Sequence, residues 1–299
     1  MIRRGEEQDP AARSNRPPFR LLAWTLALPL AVFLIYLIAE RVAAPQAPVT
    51  PPPRTSSPVP PSPEPKIAAT LPEANKPASR GRIVLILDDF GYDRAAPAIA
   101  AELGAPISFA VIPGTPHAVE AANFAASRGF EVLCHLPLEP EGYPGVSPGG
   151  NAILLSMSDA EIRERTAEML RMVPHARGLN NHMGSAATAD SRVMGSVLAV
   201  ARDQGLFFID SRTTGRSVSE ALARKLGIRA ASRDVFLDDD RSEAAIRRQI
   251  AELCRVADRG EIAIGIGHPH RSTLKVLGEE IPRLRAAGYD FLRASEAVW

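Results

Sequence analysis

Asp88 and Asp89 stand side by side directly after the apolar run Ile83-Val84-Leu85-Ile86-Leu87 and just before Gly91. Adjacent carboxylates at the end of such a run are costly to place unless something binds them. A divalent cation meets that need, because it holds one carboxylate ionised and changes the proton affinity of its neighbour. The plainer alternative is an acidic turn, since Asp and Gly are common turn residues. His135, Asp210 and His268 also lie at or just past the carboxyl end of an apolar run.

Asp89, His135 and His182 make an oxygen-and-imidazole set suited to zinc or a similar first-row cation. Three protein ligands with one open position is the catalytic rather than the structural arrangement. Water at such a position loses a proton near neutral pH and can attack a carbonyl. In this reading Asp88 accepts that proton and His268 protonates the leaving group. Each histidine has a plainer reading as a hydrogen-bonded structural residue at a strand end. Glu139, four residues after His135, is a rival third ligand. Asp210 is a candidate to orient a ligand or the general base, Arg212 a candidate carboxylate partner, and Asn181 and His270 candidate supporting or substrate contacts. Asp238-Asp239-Asp240 reads as an acidic cap on a helix that starts at Arg241. His117 and His175 read as ordinary loop or helix-end residues. Ser211 has no adjacent base, which argues against a serine hydrolase.

The elements that must position these residues alternate between short apolar runs and longer helical patterns. Strands are expected at 83–87, 107–112, 130–134, 206–209, 235–237, 261–266 and 289–292. Helices are expected at 95–103, 116–127, 158–172, 191–204, 217–226, 241–259 and 272–287. The helix from Ser158 opens with an S-x-x-E capping box to Glu161. The Gly/Pro-rich stretch 141–151 reads as a long loop and a candidate binding rim. Strands this apolar, alternating with helices, imply a parallel sheet with helices outside. Seven or eight such units fit a (β/α) barrel better than an open sheet, and in either fold the carboxyl ends of the strands open on one face. Residues far apart in sequence are thereby brought together.

The 299-residue chain carries a net charge of +1 and no dense Lys/Arg block, so nothing points to a nucleic-acid partner. Leu21 to Ala39 is a run of nineteen uncharged, mostly apolar residues, about the length needed to cross a ~30 Å hydrocarbon core. Five arginines precede it, at positions 3, 4, 13, 16 and 20. The expectation is an uncleaved signal anchor at 21–39 with residues 1–20 in the cytoplasm. Residues 42–80 hold twelve prolines in thirty-nine positions and read as an extended linker, with 40–80 as its bounds. The folded part, 81–299, would then face the extracytoplasmic or periplasmic side of the inner membrane. Two cysteines occur, Cys134 and Cys254; both read as small buried apolar residues, so a disulfide between them is disfavoured.

The motifs I-L-D-D-F-G, L-C-H-L-P-L-E-P, G-L-N-N-H-M-G-S, F-F-I-D-S-R-T, R-D-V-F-L-D and I-G-I-G-H-P-H occur in this order. Together they resemble the divergent polysaccharide deacetylase family, a branch of the NodB-type carbohydrate esterases, over 81–299. The resemblance implies a distorted (β/α) barrel of about seven strands, a divalent metal (usually zinc), and hydrolysis of an acetyl group on a sugar. Carried over residue by residue, it makes Asp88 the general base, Asp89 and His135 metal ligands, and His268 the general acid. The superfamily's H-x-x-x-H pair is here His135-Leu-Pro-Leu-Glu139, so its second histidine is absent and His182 is expected to replace it. The Arg-x-Pro segment also lacks a counterpart, and Asn180-Asn181-His182 stands roughly in its place. The expected substrate is an acetylated envelope glycan. The alternative is a non-catalytic glycan-binding module, which the scarcity of tryptophans (Trp24 and Trp299 alone) disfavours.

Overall fold

The computed structural model describes residues 79–299. The expected anchor, 21–39, and all of the expected linker but its last two residues lie outside the described residues. Among those residues no helix is long and apolar enough to cross a membrane.

Among the described residues nine strands occur, with a helix between each successive pair except β6 and β7: β1 (Gly81–Phe90), β2 (Ser108–Val111), β3 (Glu131–Leu138), β4 (Ala176–Met183), β5 (Phe207–Asp210), β6 (Ala230–Ser232), β7 (Val235–Phe236), β8 (Ile262–Gly267) and β9 (Tyr289–Leu292). The helices are α1 (Ala96–Ala101), α2 (Ala118–Ser127), α3 (Asp159–Arg171), α4 (Ser191–Asp203), α5 (Ser219–Lys225), α6 (Glu243–Ala257) and α7 (Arg271–Ala286). The strands pair in the order β6-β5-β4-β3-β2-β1-β8-β7, with β9 added against β1. Every pairing is parallel. The expected barrel is therefore present but open, since β6 and β7 form the two free edges of the strand path. Two strands escape the periodicity argument. β4 carries Arg-Gly-Leu-Asn-Asn-His, too polar to read as a buried strand, and β6 is only three residues long.

Strand alternation divides the core in two. Ile83, Leu85 and Leu87 point outward into the layer shared with the helices. Val84 and Ile86 point inward with Ala110, Leu133, Phe207, Ile209, Ile264 and Ile266. Extending each inward series by two residues reaches the carboxyl ends at Asp88, His135 and His268. The same two-residue step in β4 puts Gly178, Asn180 and His182 on one face.

The amino-terminal mouth is closed by the chain's own end. Ala294, Ala297 and Val298 join the inner core. The backbone N–H of Ala294 donates to Ser108 Oγ at 3.2 Å, and that of Ser295 to the buried Glu131 carboxylate at 3.0 Å. Ser108 Oγ also donates to Glu131 at 3.0 Å, which satisfies the buried acid. The opposite, carboxyl-end mouth is left for chemistry.

Gly178 is required by packing. A Cβ there would lie 2.5 Å from the Phe207 ring, which fills the barrel interior. Relief of backbone entropy would favour Gly178→Ala by ~0.5–1 kcal/mol, but overpacking a filled core costs ~1–3 kcal/mol. Thermal unfolding of Gly178→Ala is expected to show a net loss of stability, reduced when Phe207→Leu makes room. A melting temperature at or above wild type would contradict this packing account.

Candidate active site

The site begins with a break in strand geometry. In a regular strand adjacent side chains point to opposite faces, so Asp88 and Asp89 would straddle the sheet. Instead, the β1–β2 register shifts between Leu87 and Phe90. Asp89 takes a left-handed backbone, φ 62°, a conformation costing of order 1–3 kcal/mol that persists where its surroundings enforce it. Gly91 follows at φ 119°, where a Cβ would lie 2.0 Å from Thr115 Oγ1. The result is that both carboxylates reach one imidazole: His135 Nε2 lies 3.5 Å from Asp88 Oδ2 and 3.3 Å from Asp89 Oδ1.

His182, from the end of β4, comes from the other side, with Nδ1 3.0 Å from Asp89 Oδ1. Asp89 Oδ1 is buried, yet neither imidazole contact has hydrogen-bond geometry, so the atom has no hydrogen-bond partner. One ligand atom from each of Asp89, His135 and His182 lies within 4.8 Å of the others. An orphaned carboxylate oxygen facing two ring nitrogens fits a divalent cation held by one oxygen and two imidazoles.

Asn180 sets the chemistry of this group. Its amide nitrogen donates to Asp88 Oδ1 at 2.8 Å, which turns its oxygen towards His135 Nδ1 at 2.9 Å. An amide oxygen only accepts, so the proton must sit on Nδ1, leaving the Nε2 lone pair facing the carboxylates. That is the tautomer a cation requires, fixed by a neighbour in the way metal-ligating histidines usually are. The two acids are driven apart. Burial pushes the Asp88 carboxyl up, against the opposing pull of His135, His268 and Asn180. Burial also acts to raise Asp89, but the imidazoles of His135 and His182 outweigh it and hold its carboxyl well below the usual range. For His135, burial favours the neutral ring, while Asp88, Asp89 and Asn180 together raise its pKa.

Across the mouth, His268 follows β8. Its Nδ1 bonds Asp238 Oδ1 at 3.0 Å and its Nε2 lies 3.7 Å from Asp89 Oδ2. Asp238 Oδ2 accepts from the His268 backbone at 2.7 Å and from Thr273 Oγ1 at 2.7 Å. Burial tends to lower the His268 pKa, but Asp238 and the charges of Asp88 and Asp89 raise it to about 9. Phe236 meets the His268 ring edge-on at 5.4 Å, and His270 stacks on its other side at 5.4 Å. Burial lowers the His270 pKa.

Several sequence expectations are corrected. Asp238 is not part of an exposed helix cap: it is 3% exposed and grips His268, while Ser242 caps α6 by accepting from Ala245 N. Glu139 is not at the cluster, because its carboxylate accepts from Leu155 N at 2.7 Å and ties down the loop after β3. Asp210 does not touch Asp88 or a histidine; it accepts from Arg212 N at 2.8 Å and Ser217 Oγ at 2.6 Å. Asn181 braces the neighbouring loop, its oxygen accepting from Ser211 N at 2.9 Å. Its sequence neighbour Asn180 is the residue that contacts Asp88 and His135. Parity along β4 was the available signal, since Asn180 shares a face with His182. Arg212 is exposed with a left-handed backbone, φ 49°. Cys134 and Cys254 are free thiols.

A family model described as divergent polysaccharide deacetylase matches residues 85–298. An uncharacterized protein of Haemophilus influenzae is 36% identical over 199 residues, covering 67% of this chain and 70% of its own. The uncharacterized protein YibQ of Escherichia coli is 36% identical over 216 residues, covering 72% of this chain and 67% of its own. The crystal structure of an uncharacterized Agrobacterium tumefaciens protein shares the fold, with a TM-score of 0.70 at 23% identity over 74% of this chain and 90% of that one.

The Asp238–His268 pair has a titration signature. In chelator-treated full-length protein, nitrogen-detected NMR should show His268 still protonated at pH 8, and Asp238→Asn should return it towards the ordinary value of 6.5. Because the folded pKa is raised, the pair's stabilisation is complete below about pH 6.5 and is lost as pH rises through about 9. A wild-type His268 titrating near 6.5 would contradict the geometry.

Proposed function

The chain belongs to the divergent polysaccharide deacetylase family, and on that premise we propose that it is a metal-dependent hydrolase removing acetyl groups from a cell-envelope saccharide. The observation that carries the reading is the geometry of the paired acids: Asp89 Oδ1, buried without a hydrogen-bond partner, faces the His135 and His182 rings, while Asp88 beside it is bonded by Asn180. Burial raises the Asp88 carboxyl while the imidazoles hold Asp89 ionised, which divides the two acids between proton transfer and cation binding. Asp89, His135 and His182 would hold the cation, with zinc the first choice for a site of one oxygen and two nitrogens. Such a cation supplies Lewis acidity to the acetyl carbonyl and makes a nearby water acidic enough to ionise near neutral pH.

The remaining steps belong to the chain's own groups. Asp88 takes a proton from the water that adds to the acetyl carbonyl. Asn180 keeps Asp88 Oδ1 and the His135 tautomer in place during that transfer. His268, held by Asp238 through Nδ1, gives the proton on Nε2 to the departing sugar nitrogen or oxygen. Acetate and the free amine or hydroxyl result, and Asp88 returns its proton to solvent or to His268. A binding module has no need of a proton acceptor and a proton donor facing one oxygen cluster, so the pair favours the hydrolase reading. The proposed setting is the extracytoplasmic side of the inner membrane, with 21–39 as anchor and 40–80 as tether.

Asp88→Asn keeps the shape and the Asn180 contact but removes the proton acceptor. With full-length protein and acetylated glycans, acetate release is expected to fall at least ~10²-fold, the usual scale for loss of a general base, with metal content unchanged. Equal acetate release from the variant would remove Asp88 from this role.

A further inference from the structure

The cleft of about 670 Å³ that exposes Asp88, His135, His182 and His268 extends sideways to Arg212, Arg233 and Phe236. That direction is the open seam between β6 and β7. A closed barrel would have no space there.

Two arginines are built into this seam. The Arg233 guanidinium donates through Nε to Ser211 O at 2.7 Å and through Nη2 to Arg212 O at 2.9 Å. It also stacks on Phe236, 5.0 Å from the ring centre. Arg212 follows in the left-handed conformation, its backbone N–H fixed by the buried Asp210 carboxylate at 2.8 Å. Arg233 N donates to Asp210 O at 2.9 Å, so one short segment orients both residues. Burial first, and then the neighbouring Arg212 charge, lower the Arg233 pKa, and the attraction of Asp210, Asp88 and Asp234 offsets them only in part. Two like charges are thus held together at a cost, one of them on strained backbone. Arginine stays charged in proteins, so the cost cannot be relieved by losing a proton.

The carboxylates of Asp210, Asp88 and Asp234 attract these arginines, but none forms an ion pair with either. Asp234 Oδ2 accepts from Ile264 N at 2.8 Å, Glu252 pairs with Arg255, and Asp88 is bonded by Asn180. Asp239 is exposed at the rim. Asp210 spends its oxygens on Arg212 N and Ser217 Oγ rather than on a guanidinium. Among the described residues, neither Arg212 nor Arg233 has an ion-pair partner. A guanidinium held in place at Arg233, with the exposed Arg212 side chain carried beside it on the same cleft wall, is suited to a carboxylate or phosphate.

We propose that Arg212 and Arg233 form an anion subsite, so that the saccharide bound in this cleft carries a carboxylate or phosphate near the group that reacts. The inference deepens the hydrolase reading by naming its substrate class as acidic acetylated sugars, yet the subsite stands on its own geometry. Neutral chitin-like chains are then poor ligands.

Binding to full-length protein is measured by calorimetry with two matched probe pairs. One is an N-acetylmuramic acid disaccharide against its carboxyl methyl ester; the other is N-acetylglucosamine 6-phosphate against N-acetylglucosamine. At least one acidic probe should bind about tenfold or more tightly than its neutral counterpart, the scale of a charge-assisted hydrogen bond. That ratio should fall close to one in Arg212→Gln and be partly kept in Arg212→Lys. The pair showing the preference identifies the anion as carboxylate or phosphate. Equal binding of acid and neutral probes, no binding of any acidic probe, or an undiminished ratio in Arg212→Gln would each overturn the proposal. Acetate release is followed separately: a charge preference without release would count against the hydrolase reading and leave the subsite in place.

Discussion

Two neighbouring carboxylates on one strand can serve one centre only if the strand stops alternating. The shift in β1 pairing and the left-handed backbone of Asp89 bring this about. Everything else at the carboxyl mouth follows from it. With regular geometry one acid would face the helices, and His135 could not contact both. The strain persists because the strand beneath is paired with β2, β8 and β9 and buried from Ile83 to Leu87, so it cannot relax.

The rest of the site is a set of second contacts that fix what the first contacts mean. Asn180 joins Asp88 to His135 and sets the imidazole tautomer. Asp238 does the corresponding work for His268 through three accepted hydrogen bonds. Each connects a different pair of strands, so the order of the sheet and the protonation of the site are one problem. The opening between β6 and β7 adds room on one side only, and it is there that Arg212 and Arg233 lie.

The alternation of apolar runs and helices was legible, because parallel strands buried on both faces leave an unmistakable pattern. So was the gathering of Asp88, Asp89, His135 and His268, each following such a run. β4 was not legible as a strand: its inward face is polar because it is the site, and its one small inward residue, Gly178, makes way for Phe207. The role of Asp238 was hidden for a different reason. Three consecutive aspartates before a helix look like a solvated cap, and only the fold shows that the first is turned inward. Glu139 misled because spacing from His135 matched a ligand pair, whereas the backbone N–H of Leu155 had the prior claim on its carboxylate.

The central claim is that Asp89, His135 and His182 hold one divalent cation. Metal content of purified full-length protein, wild type beside His182→Ala, tests it most directly. The account predicts about one zinc-like ion per chain in wild type and its loss in the variant. No bound ion in wild type after zinc is supplied, or an unchanged content in His182→Ala, would contradict it.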